Sequence, residues 1–195
     1  MRKKTITEEA ILEASISLAA QNGLEHFTTK KAAALLNISE GTIFNNYPNK
    51  TALLVACLYH IDRQIDVVLK SVPLHLRTVP SYVHDMWYAY FEFLAVHGDY
   101  AKFYIQFRTS SYYTSEVIAG QNQSLSFFSK FLKSHMELFH VDANIFWTYI
   151  IETTMNFAVH VASGQIPCTQ KEIDAMYRLI SNGIKGVYFD KKVLK

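Results

Sequence analysis

Residues 27–50 read FTTKKAAALLNISEGTIFNNYPNK, and the fold turns on how this stretch divides. Thr28 has the side chain of an N-cap, a hydroxyl that accepts from an amide two or three residues on. It opens an alanine-rich helix whose apolar side is Ala32, Ala33, Leu35 and Leu36. Asn37 tolerates the left-handed backbone of a tight turn. Ser39 caps a second, short helix, SEGTIFNNY, with Ile43 on its apolar side. Pro48-Asn49 breaks that helix, and Lys50 begins a longer one running to about Lys70. Two short helices joined by a tight turn make a helix-turn-helix, whose second helix enters the major groove of duplex DNA.

Working outward, the same helical period continues almost throughout. Upstream, a helix starts near Thr5 or Thr7, with Thr5 and Glu8 spaced as a capping box. Ile11, Leu12, Ser15, Leu18 and Ala19 form its apolar stripe, and Asn22-Gly23 ends it. Downstream, Pro73 and Pro80 bracket a loop. Helices are expected over 81–97, 99–108, 115–139, 142–163 and 169–189, with Thr169 and Glu172 as a second capping box. No segment alternates like a strand with hairpin turns. The fold class is all-α: a helix-turn-helix domain over 1–50, then a larger helical domain over 51–195.

Composition narrows the function. Half of the residues are hydrophobic, enough for a sizeable core. The longest apolar stretches are interrupted by Glu92, Glu152, Asn156 and His160, so no membrane span is expected. MRKKTITEE lacks the apolar run of a secretory signal. Cys57 and Cys168 are far apart and read as two reduced thiols of a cytoplasmic protein, with no metal spacing and no cofactor motif. Net charge is only +2, so a nucleic-acid partner must be argued from the motif. Around it, Arg2, Lys3, Lys4, Lys30, Lys31 and Lys50 nearly balance Glu8, Glu9, Glu13, Glu25 and Glu40.

The stretch 27–50 resembles the DNA-binding signature of the TetR family of transcriptional regulators. The likeness lies in Thr28 and Thr29, Ala33, the Asn37 turn, Ser39, Gly41, Thr42, Phe44 with Tyr47, and Lys50. The family usually carries glycine at the place of Asn37 and tyrosine at that of Phe44. Phenylalanine has no hydroxyl for a phosphate; it packs, or touches a thymine methyl. The resemblance implies a homodimer on a double-stranded DNA operator, usually a repressor. It places DNA contacts at Thr28, Thr29, Ser39, Glu40, Thr42, Phe44, Asn45, Asn46, Tyr47 and Lys50. Lys50 at a helix start opposes the macrodipole, a placement that a phosphate partner explains. Arg2, Lys3 and Lys4 are either a loose tail or a basic arm on DNA. None of the exposed recognition positions is arginine or lysine, so the half-site is expected to be A·T-rich at its centre.

The resemblance further implies that the domain over 51–195 is a ligand-binding and dimerisation domain, expected to hold a small hydrophobic or aromatic effector. Trp87, Tyr90, Phe91, Tyr104, Phe107 and Phe128 lie at helical spacings, and Glu152 and Asn156 precede His160 in a polar line four residues apart. Such rings are either plain core or the wall of a pocket, and the polar line either pairs within the protein or orients a ligand. Ile173, Met176, Tyr177, Ile180, Ile184 and Val187 form one side of the last helix, a face suited to a partner copy. Two rivals remain: a helical enzyme using Glu152, His160 and Asp85, and a helical interaction protein without DNA binding. No nucleophile motif or phosphate loop supports catalysis, and no enzyme is expected.

Overall fold

A computed structural model describes residues 6–73, 79–135, 142, 145, 146 and 148–189, except for the side chains of 79, 80, 132–135 and 185–189. The elements are α1 (Glu8–Asn22), α2 (Thr29–Leu35), α3 (Glu40–Phe44), α4 (Lys50–Ser71), α5 (Val79–Val96), α6 (Gly98–Arg108), α7 (Ser115–Ser124) and α8 (Ser126–His135). A π-helical turn (Thr148–Glu152) leads into α9 (Thr153–Ala162), and α10 spans Gln170–Phe189. Every one of these elements is helical, as the sequence predicts. Among the described residues no helix is long and apolar enough to cross a membrane.

The chain forms two compact units. Among the described residues, those up to Gln64 pack with Asp99–Ser124, and those of Ile65–Gly98 with those from Leu125 on. In the first unit the core is built from Ile11, Leu12, Ile16, Ala19 and Ala20 of α1 with Leu24, Phe27, Ala32, Ala33, Ile43, Leu53 and Leu54, all buried. Ile16 takes the inward place expected of Leu18, which is half-buried. The cap of α1 is Thr7, whose hydroxyl accepts from the Ala10 amide at 3.2 Å; Thr5 of the expected capping box lies outside the described residues. Gly23, at φ 87°, ends the helix in a conformation that suits glycine. Hydrogen bonds fasten α6 to α1, from Ser17 to Asp99 at 2.7 Å and from the Gln106 amide to the Ala20 carbonyl at 3.2 Å.

A charged group is also buried in this unit. Asp62 of α4 is completely inaccessible. Its Oδ1 accepts from the Tyr104 hydroxyl at 2.9 Å, and the Gln121 amide lies 3.1 Å from Oδ2. The chain of donors continues outward: Tyr113 donates to Gln121 Oε1 at 2.7 Å, and Arg108 donates to the Tyr113 hydroxyl at 2.6 Å. Burial pushes the Asp62 carboxyl up to about 7, against the opposing influence of Gln121, Tyr104, Arg63 and Arg108. A second cluster joins Glu13 of α1 to His60 at 2.8 Å and to the Tyr100 hydroxyl.

In the second unit α5 packs along α9. The Trp87 indole N–H donates to the buried Thr154 hydroxyl at 2.9 Å, which in turn donates to the Ile150 carbonyl at 2.7 Å. Trp87 stacks on Phe91, and Phe91 on Phe157, with ring centroids 5.7 and 5.0 Å apart. Three element boundaries differ from expectation. α5 starts at Val79, so Pro80 falls in its first turn, where the missing N–H has no intrahelical role. The segment expected as one helix over 115–139 breaks at Leu125. There Asp66 of α4 accepts from the amides of Phe127 and Phe128 at 2.9 and 3.3 Å and so caps the start of α8. The segment expected to be one helix over 142–163 is wound as a π turn before α9.

Candidate nucleic-acid interface

Local chemistry fixes the geometry of α2 and α3. Thr28 Oγ1 accepts from the Lys31 amide, and Ser39 Oγ from the Thr42 amide, each at 3.2 Å, so both helices begin on the side chains expected. Between them Asn37 has φ 54°. Its amide donates to the Ala34 carbonyl at 3.1 Å, and the Ile38 amide reaches the Ala33 carbonyl at 3.0 Å. This paired pattern closes the end of α2 and turns the chain into α3. Ile43 is fully buried, while Phe44, Asn45 and Asn46 are exposed on the opposite side. Leu35, expected on the inner side of α2, is instead 59% exposed. Small Ala32 and Ala33 make the inward contacts, and α2 is too short to turn a third side to the core.

The residues expected to touch DNA fall into two groups. Thr28, Ser39, Phe44, Asn45 and Asn46 are exposed, with Thr42 and Glu40 half-buried. Phe44 is 44% exposed. Ser39 and Thr42 share a hydroxyl–hydroxyl bond of 2.9 Å, and the Asn46 amide lies 3.5 Å from the Thr42 carbonyl. The other three are engaged inside the unit. Thr29 is buried and donates its hydroxyl to Glu40 Oε1. Tyr47 is buried and donates to Glu8 Oε1 at 2.8 Å, and burial with the Glu8 carboxylate raises its phenol far above the ordinary range. Lys50 donates to the Leu24 carbonyl at 2.8 Å and lies about 6 Å from the ring centres of Phe27 and Tyr112. Thr29 joins α2 to α3, Tyr47 joins the turn after α3 to α1, and Lys50 joins the start of α4 to the Leu24–Phe27 loop. Arg2, Lys3 and Lys4 lie outside the described residues.

The expected effector residues are distributed over both units. Trp87, Tyr90, Phe91 and Phe128 are buried in the second, and Tyr104 and Phe107 in the first. Asn156 and His160 face solvent: Asn156 donates to the Glu152 carbonyl at 2.8 Å, and His160 bonds to Gln165. Asp85 pairs with His84 at 3.0 Å. Of the face expected for a partner copy, Ile173 and Ile180 are buried within their own unit; Leu179, beside them, is 69% exposed. Among the described residues no cluster of three or more His, Cys, Asp or Glu has the geometry of a metal site.

Residues 11–57 match the family model of the bacterial regulatory proteins of the tetR family. This segment resembles the DNA-binding unit of the TetR family. Nucleoid occlusion factor SlmA of Actinobacillus pleuropneumoniae is 27% identical over 96 residues, 48% of each chain. The Bacillus subtilis HTH-type transcriptional regulator YvkB is 42% identical over 52 residues, 27% of this chain and 28% of YvkB. The match thus spans about half the length of the SlmA relatives and less of YvkB. A TetR family transcription regulator from Marinobacter aquaeolei has the same fold, with a TM-score of 0.77 at 16% identity over 88% of this chain and 92% of that one. The shared fold is an N-terminal helix-turn-helix followed by a helical remainder.

Proposed function

We propose that this chain is a cytoplasmic regulator that binds a double-stranded DNA operator as a homodimer, represses transcription there, and leaves when a small, largely apolar ligand binds. The observation that carries the DNA reading is a recognition helix whose inward side is Ile43 and whose outward side offers Phe44, Asn45 and Asn46. Asparagine pairs with adenine, and a phenyl ring suits a thymine methyl, so the central half-site is A·T-rich. Thr28 and Ser39 sit at helix starts, where backbone amides suit phosphate oxygens. Lys50 keeps two N–H donors beyond the one on Leu24 for a phosphate oxygen. In this reading residues 1–50 hold the DNA contacts, Glu40 among them, with Thr29, Thr42 and Tyr47 framing them, and 51–195 hold the ligand and the partner copy. The effector lies in the second unit, against Trp87, Tyr90, Phe91 and Phe128, with Glu152 and Asn156 shaping its response. Exposed Leu179, with Tyr149 donating to its carbonyl at 3.2 Å, marks the surface for the second copy.

Selection of bound duplexes from a random pool tests the proposal. The expected product is a palindrome with half-sites about one helical turn, ~34–36 Å, apart or slightly more. Binding should weaken steeply with salt. A pool that shows no enrichment over non-specific binding would overturn it.

A further inference from the structure

The polar side chains of the recognition helix are almost all accounted for within the protein. Ser39 and Thr42 bond to each other, Asn46 leans on the Thr42 carbonyl, and Tyr47 is held by Glu8. Asn45 is exposed and Glu40 is half-buried. Glu40 differs from the rest in carrying charge and in being fastened across the turn. Its Oε1 accepts the hydroxyl of Thr29, eleven residues earlier on α2, and that threonine is only 7% exposed. A glutamate free in solution samples many rotamers, and fixing one of them on a base costs conformational entropy. Here the clamp fixes it before any partner arrives, and among the described residues nothing hydrogen-bonds to the second oxygen, Oε2.

A fixed carboxylate on the groove-facing helix is a poor general anchor, because phosphates repel it. It is a good discriminator, because it only accepts. In the major groove cytosine N4 and adenine N6 donate, whereas guanine and thymine present acceptors. Adenine's donor lies beside its own N7 acceptor, which faces a carboxylate unfavourably; cytosine presents its N4 donor alone, the usual partner of Glu and Asp. We infer that Glu40, held in place by Thr29, is a specificity-determining residue that selects a cytosine at one position of each half-site. The inference rests on the DNA-binding reading above and adds a C·G pair to an otherwise A·T-rich half-site. Thr29 is the positioning residue: it touches no base and acts through the carboxylate.

The test is a duplex selection run in parallel on wild type, Glu40→Ala, Thr29→Val and Thr29→Ser, each first checked for native helicity by circular dichroism. Wild type should return one strongly preferred cytosine per half-site. Glu40→Ala should lose that preference by on the order of tenfold while leaving the other positions unchanged. It should also bind non-specific duplex as tightly as wild type or more tightly, since a repelled charge is gone. Thr29→Val should blur the same position, and Thr29→Ser should restore it. Identical logos for wild type and Glu40→Ala, or a loss spread evenly over all positions, would overturn the inference while leaving DNA binding intact. A wild-type pool without enrichment would instead remove the DNA-binding reading itself.

Discussion

Replacing Asp62 with asparagine should make the protein more stable at pH 8 and slightly less stable at pH 4. The carboxyl is fully buried and titrates near 7, about three pH units above its ordinary value of 3.8. At about 1.4 kcal/mol per unit, the folded state prefers the protonated form by roughly 4 kcal/mol more than the unfolded chain does. Below about pH 4 both states hold the proton and the preference costs nothing. As pH rises from there the unfolded chain releases its proton and the folded one does not, so stability is lost until about pH 7 and is flat beyond. Asparagine carries no such penalty. Its carbonyl can still accept from Tyr104, but its amide meets the Gln121 amide, losing about one hydrogen bond, ~1 kcal/mol. The variant should therefore gain roughly 3 kcal/mol at pH 8, lose about half a kcal/mol at pH 4, and match wild type at about pH 4.5. Urea unfolding followed by helical circular dichroism, at one protein concentration and several pH values, reads this directly. Other titrating groups cancel in the difference between the two proteins. Parallel stability curves, or a variant weaker at every pH, would refute the reasoning and mean that the donors around Asp62 hold it ionised.

Four further outcomes are expected. Asn37→Ala should cost about 1–2 kcal/mol in urea unfolding and Asn37→Gly almost nothing, since φ 54° penalises a Cβ without a compensating side chain. Thr154→Val should destabilise by about 1–3 kcal/mol because it strands the Trp87 N–H, and tryptophan fluorescence should shift with it. A thiol reagent should label Cys168 in the native protein and reach Cys57 only on unfolding, because Cys57 is buried and burial raises its thiol far above the ordinary range. Gly183→Ala would place a methyl 2.2 Å from the Tyr149 hydroxyl, so that ring must leave its seat over α10. Sedimentation equilibrium should then report a weaker dimer.

Much of the helix-turn-helix could be read from sequence because its signals are local. Thr28, Asn37 and Ser39 each act on amides or a turn within three residues, and a cap or a left-handed residue means the same in any context. The inward turn of Ile43 and the outward turn of Asn45 follow from period alone. What could not be read were bonds between distant residues. Glu8 with Tyr47, Thr29 with Glu40 and Lys50 with Leu24 join residues 39, 11 and 26 apart, and nothing in their spacing announces them. One signal was available and unread. Asp62 and Asp66 share the α4 stripe of Leu58, Ile61, Ile65 and Leu69, all buried. Acids on an apolar stripe ask for buried donors, and Tyr104 and Gln121 for one, the start of α8 for the other, supply them. The aromatic spacings predicted burial well but said nothing of which rings meet: Phe91 stacks on Phe157, a ring outside the expected set.

The Asp66 cap has a consequence for anyone handling pieces of this chain. The break at Leu125 is imposed from α4, some sixty residues earlier, and no proline or glycine sits at the break itself. A synthetic peptide covering 115–135 lacks that carboxylate. With no instruction to stop and restart, any helix it forms should run unbroken through Leu125. Grafts, epitope peptides or truncations that separate this segment from Asp66 would thus present a surface the intact protein never displays.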